Sequence, residues 1–312
     1  MMKAEELGDF AHCILPGAQE PQLLIDTNWG EEWRRIQRVR KHVDSSEKWD
    51  KRAPSFGSVR GESPYVTQFI ESLNLQAGET VFDMGCGNGA IAVPLAQAGF
   101  EVTARDFSAG MLAALAAGAE EAGVLDRIHA AQMSWEDDWE AAGLKPHSFD
   151  VAFASRSVIT QDLAAALAKL SWISRNRCCV TTSTGYTPKL SPTILRELGI
   201  TSVAAYDFIY TFNILVQQGH CPEMHYIVHD RSFHFDSLEE VRKEFLGLLE
   251  HASTYCDADE LARAHERLDG WIEGRMEPNE KVGQVNHHGE VEGAYKIVMP
   301  NDIRWACITW EV

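Results

Sequence analysis

The sequence predicts an α/β fold built on a doubly wound, mostly parallel sheet. Between residues 80 and 184, short apolar runs alternate with helix-like stretches, which is the pattern of repeated βαβ units. The first run ends in a glycine-rich turn and the second ends in an acid, as expected for an open sheet that binds a ligand at its carboxyl edge. Helical segments precede and follow this core.

Ahead of the core, the sequence predicts two helices separated by a loop. Residues 28–43 begin at an asparagine that can cap a helix, and their apolar side chains recur on one face. Residues 44–61 contain a proline and two glycines and predict a loop. A serine followed by a proline opens a helix over 63–73. Residues 1–25 show no clear period and predict an extended lead-in.

The core elements follow one another along the chain. Pro94 lies inside the first core helix and predicts a bend there. Ser108 predicts the N-cap of an alanine-rich helix. The first core helix, which holds Pro94, is predicted over 88–98, and a further core helix over 161–173. The predicted strands cover 80–84, 101–105, 127–132, 149–154 and 177–184.

The last third is predicted to hold helices, a polar loop and closing strands. Ser237 can cap a helix with acids in its first turn, and a second helix covers 257–271. Residues 274–293 are polar and predict a surface loop. The predicted strands are 224–229, 295–299 and 303–310, the last two joined as a hairpin.

Composition excludes several classes of function. The 312 residues suffice for one large α/β domain with additions or for two small domains. The net charge of −18 argues against a general affinity for phosphate backbones or anionic membranes. The absence of a long apolar stretch and of a signal-peptide layout leads us to expect a cytoplasmic protein without membrane association. No C-x-x-C occurs among the seven cysteines and no zinc spacing among the histidines, so we expect no metal site.

The most informative feature is the loop after the first core strand. It has the pattern Asp-x-Gly-x-Gly-x-Gly, from Asp83 through Gly85 and Gly87 to Gly89. Glycine permits a positive φ and leaves room for a ligand against the backbone, and the following helix offers free N–H groups. The pattern also fits the looser dinucleotide fingerprint of NAD and FAD enzymes.

The loop resembles motif I of the class I S-adenosylmethionine (SAM)-dependent methyltransferases, and residues 102–112 resemble that family's second motif. The resemblance covers about 65–184, and 224–229 and 303–311 can be fitted to the family's last two strands. It implies a seven-stranded sheet and SAM as the cofactor. The loop residues expected to bind SAM are Asp83, Gly85, Cys86 and Gly87.

The nucleoside part of such a cofactor needs its own partners. Asp106 ends the second strand about 20 residues after the first glycine, where a carboxylate can accept both ribose hydroxyls. A NAD enzyme would use an acid in the same way, and an acid at a helix N-terminus is the plainer interpretation. The resemblance implies that Phe107 and Met111 line the adenine pocket. It also implies that Ser134 replaces the acid common at its position and that Trp135 stacks on the base.

The family's fourth motif falls after the fourth strand, beside the transferring methyl group. It includes Ser155, expected at the cofactor, and Arg156, which can bind an acidic substrate group or pair with a carboxylate of the sheet edge. Family members bring residues ahead of the first strand over the methionine part of SAM, so Arg52 and Tyr65 are candidates for its carboxylate. His225 is the candidate general base, if the acceptor requires one.

We therefore expect a SAM-dependent methyltransferase that acts on a small-molecule acceptor by in-line displacement. The Asn/Asp-Pro-Pro-aromatic box of nucleobase methyltransferases is missing, which argues with the charge against a nucleic-acid substrate. A NAD-dependent oxidoreductase and a catalytically silent SAM-binding protein remain alternatives. The expected organisation is an N-terminal extension and helical lid (1–75), a SAM-binding core (76–184), and a helical insert with the closing strands (185–312).

Overall fold

The computed structural model describes residues 27–40, 45–55, 63–186, 191–201, 206–230, 234–253, 256–285, 291–298 and 302–312. The predicted lead-in over 1–25 lies outside these ranges. The helices are α1 (Trp29–Arg40), α2 (Ser46–Arg52), α3 (Pro64–Ser72), α4 (Ala92–Gln97), α5 (Ala109–Glu121), α6 (Leu163–Ile173), α7 (Pro192–Leu198), α8 (Asp207–Gln217), α9 (Leu238–Ala252) and α10 (Ala258–Glu273). The strands are β1 (Thr80–Met84), β2 (Glu101–Asp106), β3 (Ile128–Gln132), β4 (Phe149–Ser155), β5 (Ser174–Ser183), β6 (Glu223–Asp230), β7 (His234–Phe235), β8 (Met276–Pro278), β9 (Tyr295–Ile297) and β10 (Asp302–Glu311).

Seven strands form one sheet in the order β3-β2-β1-β4-β5-β10-β6. The pairs among β1 to β5 are parallel, and β10 runs antiparallel to both of its neighbours. This arrangement confirms the predicted fold class. The strand order reverses between β1 and β4, and ligands of open α/β sheets bind at such a reversal, outside the carboxyl ends of the strands.

Helices cover both faces of the sheet. On one face, Phe82, Ala152 and Ile308 pack against α6, α8 and Trp33 of α1. On the other face, Val81, Val102 and Phe153 pack against α3, α4 and α5. Burial on both faces explains why the central strands are nearly continuous apolar runs. The two helical layers leave the carboxyl edge of the sheet as the place where loops meet.

A third cluster of buried side chains lies outside the sheet. Helices α7, α9 and α10 share it with Ile297 of a small antiparallel sheet, whose order is β7-β9-β8. Phe245 and Trp271 meet edge to face at its centre, with ring centroids 4.9 Å apart. Most of this unit therefore lies between β6 and β10 in the chain. The helices of the described ranges all fall short of the combined length and hydrophobicity that a bilayer span requires.

Two local predictions in the first third of the chain, the loop over 44–61 and the helix over 88–98, are wrong. The predicted loop over 44–61 contains α2, which Ser45 caps by accepting a hydrogen bond from the Lys48 amide (3.3 Å). The predicted helix over 88–98 is shorter, because α4 begins only at Ala92. Pro94 therefore lies in the first turn, where a helix does not use its backbone N–H groups, so the proline removes no hydrogen bond within α4.

The predicted hairpin near the C-terminus is also wrong. β9 pairs with β7 and β8 in the small sheet, whereas β10 inserts between β5 and β6. β8 lies within the predicted surface loop over 274–293. Ser63 makes no capping hydrogen bond, although Pro64 does open α3. Strands of two or three residues show no period in the sequence, so their pairing is decided by tertiary contacts.

Candidate functional site

The glycine loop joins β1 to α4 at the carboxyl edge. The Arg105 carbonyl of β2 accepts hydrogen bonds from the Gly85 amide (2.7 Å) and the Cys86 amide (3.0 Å), which ties the turn to the neighbouring strand. Gly85 has φ +77°, and a Cβ there would lie 2.3 Å from Cβ of Ser157. Only glycine fits at this position. Ser157 donates to the Met84 carbonyl (2.7 Å), so the loop after β4 is fastened directly against the turn.

Gly87 and Gly89 also have positive φ, but for different reasons. At Gly89 (φ +83°), a Cβ would meet Leu115 of α5 at 2.9 Å, so glycine here serves packing. At Gly87 (φ +54°), a Cβ would meet no atom within 4 Å. The backbone at Gly87 therefore presents an open face, as a loop that receives a ligand requires.

Asp83, the last but one residue of β1, is a buried carboxylate beneath this loop. It is 1% exposed, and its Oδ2 atom has no hydrogen-bond partner. Burial raises the pKa of Asp83 well above its ordinary value, and the nearby Asp106 raises it further. A buried, unpartnered carboxyl oxygen is costly in an empty protein. Its position under the loop fits the cationic end of a ligand.

Asp106 faces the same loop from the end of β2. Its Oδ2 accepts a hydrogen bond from the Gly87 amide (2.8 Å), and its Oδ1 accepts one from the Ser108 amide (2.9 Å). Burial raises the pKa of Asp106, although these amide hydrogen bonds oppose the rise. Each carboxylate oxygen can accept a second hydrogen bond. The side chain is thus held in one orientation with acceptor capacity left for two hydroxyls.

Helix α2 docks on the start of α5, next to this acid. Oδ1 of Asp50 accepts hydrogen bonds from the Ser108 hydroxyl (2.6 Å) and the Gly110 amide (2.8 Å). A Cβ at Gly110 would lie 3.0 Å from Cα of Asp50, so the contact needs glycine there. Ser108 also accepts from the Met111 amide (3.1 Å), which confirms the predicted N-cap.

The four residues predicted around adenine fall into two groups. Phe107 is half-buried and Met111 is buried at the start of α5. After β3, the Ser134 hydroxyl donates to Glu136 (2.6 Å), and the Trp135 indole donates to the Ser157 carbonyl (2.8 Å). Trp135 thereby lies beside the glycine loop. The structure brings both groups to the carboxyl edge on the β2–β3 side.

Tyr65 and Ser155 belong to a hydroxyl cluster at the ends of β4 and β5. The Tyr65 hydroxyl lies 2.7 Å from Oγ of Ser155 and 2.6 Å from Oγ1 of Thr181. Tyr65 is 3% exposed, and burial raises the pKa of its hydroxyl. The ring, not the hydroxyl, faces the neighbouring guanidinium of Arg156. Tyr65 thus fixes α3 to the two strand ends.

Arg156 stands directly after β4 and is exposed. Its φ is +57°, in the left-handed region that a non-glycine residue rarely adopts. The Arg156 amide donates to Thr181, with 3.0 Å to Oγ1 and 3.3 Å to the carbonyl oxygen. The guanidinium lies 4.1 Å from the ring centroid of Tyr65 and 5.7 Å from that of Trp305. From the sequence, Arg156 was expected either to bind an acidic substrate group or to pair with a carboxylate of the sheet edge. Among the described residues no carboxylate pairs with it.

His225 lies apart from the other predicted site residues. Nε2 of His225 is 2.8 Å from Oγ of Ser72. His225 belongs to β6, the edge strand four places from β1, which is about 19 Å away at about 4.8 Å per strand. Arg52 ends α2, with its guanidinium 5.1 Å from the ring centroid of Trp49. The structure thus brings together the loop, Asp106, Tyr65, Ser155 and Arg156, and leaves His225 outside this group.

Three contributors were not predicted from the sequence: Asp50, Ser157 and Thr181. Ser157 follows a core strand in a run of small polar residues, a pattern that could have marked it. Asp50 lies in a stretch rich in breakers, and its partners are 58 and 60 residues away in the chain. No local pattern identifies such a contact. Among the described residues, no group of three or more metal-ligating side chains is assembled.

Comparison with known proteins supports the predicted class of protein. A family model described as a methyltransferase domain matches residues 81–176, which span β1 to the start of β5. An uncharacterized protein of Haemophilus influenzae is 30% identical over 269 residues, covering 85% of this chain and 89% of that protein. The fold and the family model together define a Rossmann-like methyltransferase.

Solved structures that resemble this chain include proteins described as methyltransferases. A SAM-dependent methyltransferase from Geobacter sulfurreducens in complex with S-adenosyl-L-homocysteine shares 15% identity, with a TM-score of 0.44, over 84% of this chain and 97% of that chain. A geranyl diphosphate methyltransferase shares 15% identity, with a TM-score of 0.43, over 79% and 76%. The present chain belongs to the class I SAM-dependent methyltransferase family. Its core is a methyltransferase domain, and the alternative of a nicotinamide-dependent oxidoreductase is not favoured.

Proposed function

We propose that this methyltransferase binds SAM between the glycine loop and Asp106 and transfers the methyl group to a small-molecule acceptor by in-line displacement. The observation that carries the site assignment is the buried Asp83 oxygen without a partner, under a loop whose Gly87 face is open. A cationic ligand would offset the cost of burying this carboxylate. The residues present therefore fit SAM, which carries both an ammonium and a sulfonium group.

Each residue has a distinct part in this proposal. Asp106 accepts hydrogen bonds from ribose hydroxyls while the Gly87 and Ser108 amides hold its orientation. Gly85 keeps the loop against Ser157, and Gly87 lets the ligand approach the backbone. SAM, when bound, supplies an electrophilic methyl group. The protein then has to orient the acceptor and exclude water, and orientation alone can lower a barrier by about 7–11 kcal/mol.

The acceptor side is proposed to lie over the ends of β4, β5 and β10. The N-terminal extension (1–75) and the insert with the closing strands (185–312) supply Tyr65 and Trp305 there. The net charge of −18 supports a small molecule over a nucleic acid, because nucleic-acid affinity rests on neutralising phosphates with basic groups. No base is assigned, because His225 lies at the far edge of the sheet.

Isothermal titration of the purified protein with SAM, S-adenosylhomocysteine and NADH tests the cofactor site. We expect both adenosyl ligands to bind and NADH not to bind. Asp106→Ala is expected to weaken S-adenosylhomocysteine binding at least about tenfold, since hydrogen bonds to a charged group contribute about 1.5–3 kcal/mol. Asp126→Ala, at an exposed acid of the same core, is the control and should leave binding unchanged. Unchanged affinity in a folded Asp106→Ala variant would remove Asp106 from the ribose role.

The acceptor is sought by incubating the enzyme with SAM and defined pools of small metabolites. Mass spectrometry then detects a product heavier by one methylene unit, formed together with S-adenosylhomocysteine. Wild type should give such a product, and Asp106→Ala should give much less at low SAM concentration. Turnover of an oligonucleotide but of no small molecule would contradict the proposed acceptor class.

A further inference from the structure

We propose that Arg156 binds an oxyanion of the acceptor, a carboxylate or a phosphate, so that the enzyme methylates anionic small molecules. This inference rests on the function proposed above and adds the substrate class. Arg156 is exposed, and its side chain makes only ring contacts within the described part of the chain. No carboxylate of the described residues pairs with Arg156, although the protein has 46 acids and 28 bases.

The Arg156 guanidinium is held in place before any ligand arrives. Its backbone is fixed in the left-handed region (φ +57°) by hydrogen bonds from its amide to Thr181. Its planar group lies over the Tyr65 ring, and the Tyr65 hydroxyl is fixed by Ser155 and Thr181. Strained backbone at a non-glycine residue persists where the surroundings enforce it, and it concentrates at functional sites. A fixed cation loses little conformational entropy on binding.

The direction of the side chain favours the acceptor over the cofactor. Arg156 starts from the end of β4, yet its guanidinium lies 5.7 Å from the ring centroid of Trp305. Trp305 belongs to β10 and is paired with Ser183 of β5. The side chain therefore reaches across β5, away from β1, β2 and the glycine loop. An oxyanion held there lies on the side of β4 that faces away from the glycine loop.

The ring contact also selects the chemistry of the ligand. The guanidinium carbon lies 4.1 Å from the Tyr65 ring centroid, and among the described residues no hydrogen-bond acceptor engages its N–H groups, which can therefore make a planar, two-point contact with a ligand. Carboxylates and phosphates match this geometry. Tyr65 and Trp305, whose ring centroids are 6.3 Å apart, provide an aromatic wall beside it. An acceptor with an aryl or alkyl group and an oxyanion fits both the guanidinium and the aromatic wall, whereas a neutral or cationic acceptor does not match the guanidinium.

The test titrates benzoate, phenyl phosphate, inorganic phosphate and neutral benzamide into cofactor-free and S-adenosylhomocysteine-loaded protein, with binding followed by ligand-detected NMR. Wild type is compared with Arg156→Gln and Arg156→Gly. The matched control is Arg304→Gln, which removes another edge arginine stacked on a tyrosine, 5.1 Å from the Tyr186 centroid. Thermal melts report folding, and Arg156→Gly should melt higher than wild type because glycine adopts a positive φ without strain.

We expect benzoate or phenyl phosphate to bind saturably, benzamide not to bind, and both Arg156 variants to lose at least about tenfold in anion affinity. Arg304→Gln should match wild type, and S-adenosylhomocysteine affinity should stay within about twofold in all variants. Binding of inorganic phosphate alone would assign the site to free phosphate and overturn the acceptor assignment. Equal anion affinity in wild type and variants, or a tenfold loss of S-adenosylhomocysteine affinity in Arg156→Gln, would also overturn it. Failure of wild type to bind S-adenosylhomocysteine counts against the proposed function, whereas the titration without cofactor still decides on Arg156.

Discussion

The open face of the glycine loop gives the sharpest test of the cofactor site. We compare Gly87→Ala with Gly123→Ala, since the two glycines have similar backbone geometry (φ +54° and +68°) and neither added Cβ would meet a protein atom within 4 Å. An alanine in the left-handed region costs about 1–2 kcal/mol, so both variants should lose similar stability. Only Gly87 faces the proposed ligand. Any difference in ligand affinity between the variants therefore reports the ligand itself.

The expected loss follows from the geometry around Gly87. Ligand atoms cannot approach the added carbon more closely than about 3.5–4.0 Å, the normal contact distance between carbons. The ligand also cannot move away from the added carbon freely, because Asp106, which is proposed to bind its ribose, is held beside Gly87 by a hydrogen bond of 2.8 Å from the Gly87 amide. We expect S-adenosylhomocysteine affinity to fall at least tenfold, or about 1.4 kcal/mol, in Gly87→Ala. Isothermal titration measures it, and equal affinities for Gly87→Ala and Gly123→Ala would refute the assignment of this face.

Three further predictions concern charged groups. Asp50→Ala should detach α2 from α5 and speed hydrogen exchange in α2, and unchanged exchange would contradict the docking role. Arg40 and Asp207 form a buried ion pair of 2.6 Å between α1 and α8. Arg40→Met leaves the Asp207 carboxylate buried without its partner and should lower the free energy of unfolding by about 3–5 kcal/mol. Denaturant unfolding measures this loss, and adding Asp207→Leu should restore most of it. Asp83→Asn removes a carboxyl whose pKa is raised by burial in the folded protein. In wild type the unfolded chain ionises this carboxyl above about pH 3.9 while the folded protein keeps it protonated, which favours unfolding. The free energy of unfolding of Asp83→Asn relative to wild type should therefore grow with pH until the folded-state pKa is passed. A gap that narrows with rising pH would contradict that cause.

The sequence predicts the central sheet well because its strands are long and bounded by clear turn signals. β1 and β4 are buried on both faces, so each is a largely apolar run that ends in a polar or glycine-rich turn, whereas β2 alternates between buried and less buried residues. The cap at Ser108 was also predictable, since a serine before an alanine-rich stretch satisfies orphan amides locally. The site follows the sheet wherever a residue's place depends only on the end of its strand, as for Asp106.

The remainder depends on contacts between distant parts of the chain. The left-handed backbone of Arg156 has no sequence signal, because Thr181 and not a glycine enforces it. His225 belongs to a correctly predicted strand, but β10 separates that strand from β5 and carries it to the edge of the sheet. The three-residue strand β9 could not be paired from its sequence, because so short a segment has no hydrophobic period.

The docking of α2 has a consequence for how this protein can change in sequence. The segment 106–110 serves two carboxylates at once. The Ser108 amide donates to Asp106, while the Ser108 hydroxyl and the Gly110 amide donate to Asp50 of α2. A larger side chain at Gly110 would displace α2 even if it left Asp106 in place. A change in α2 therefore requires a compatible change at residues 108–110, and exchanging one between relatives without the other should yield poorly functioning chimeras.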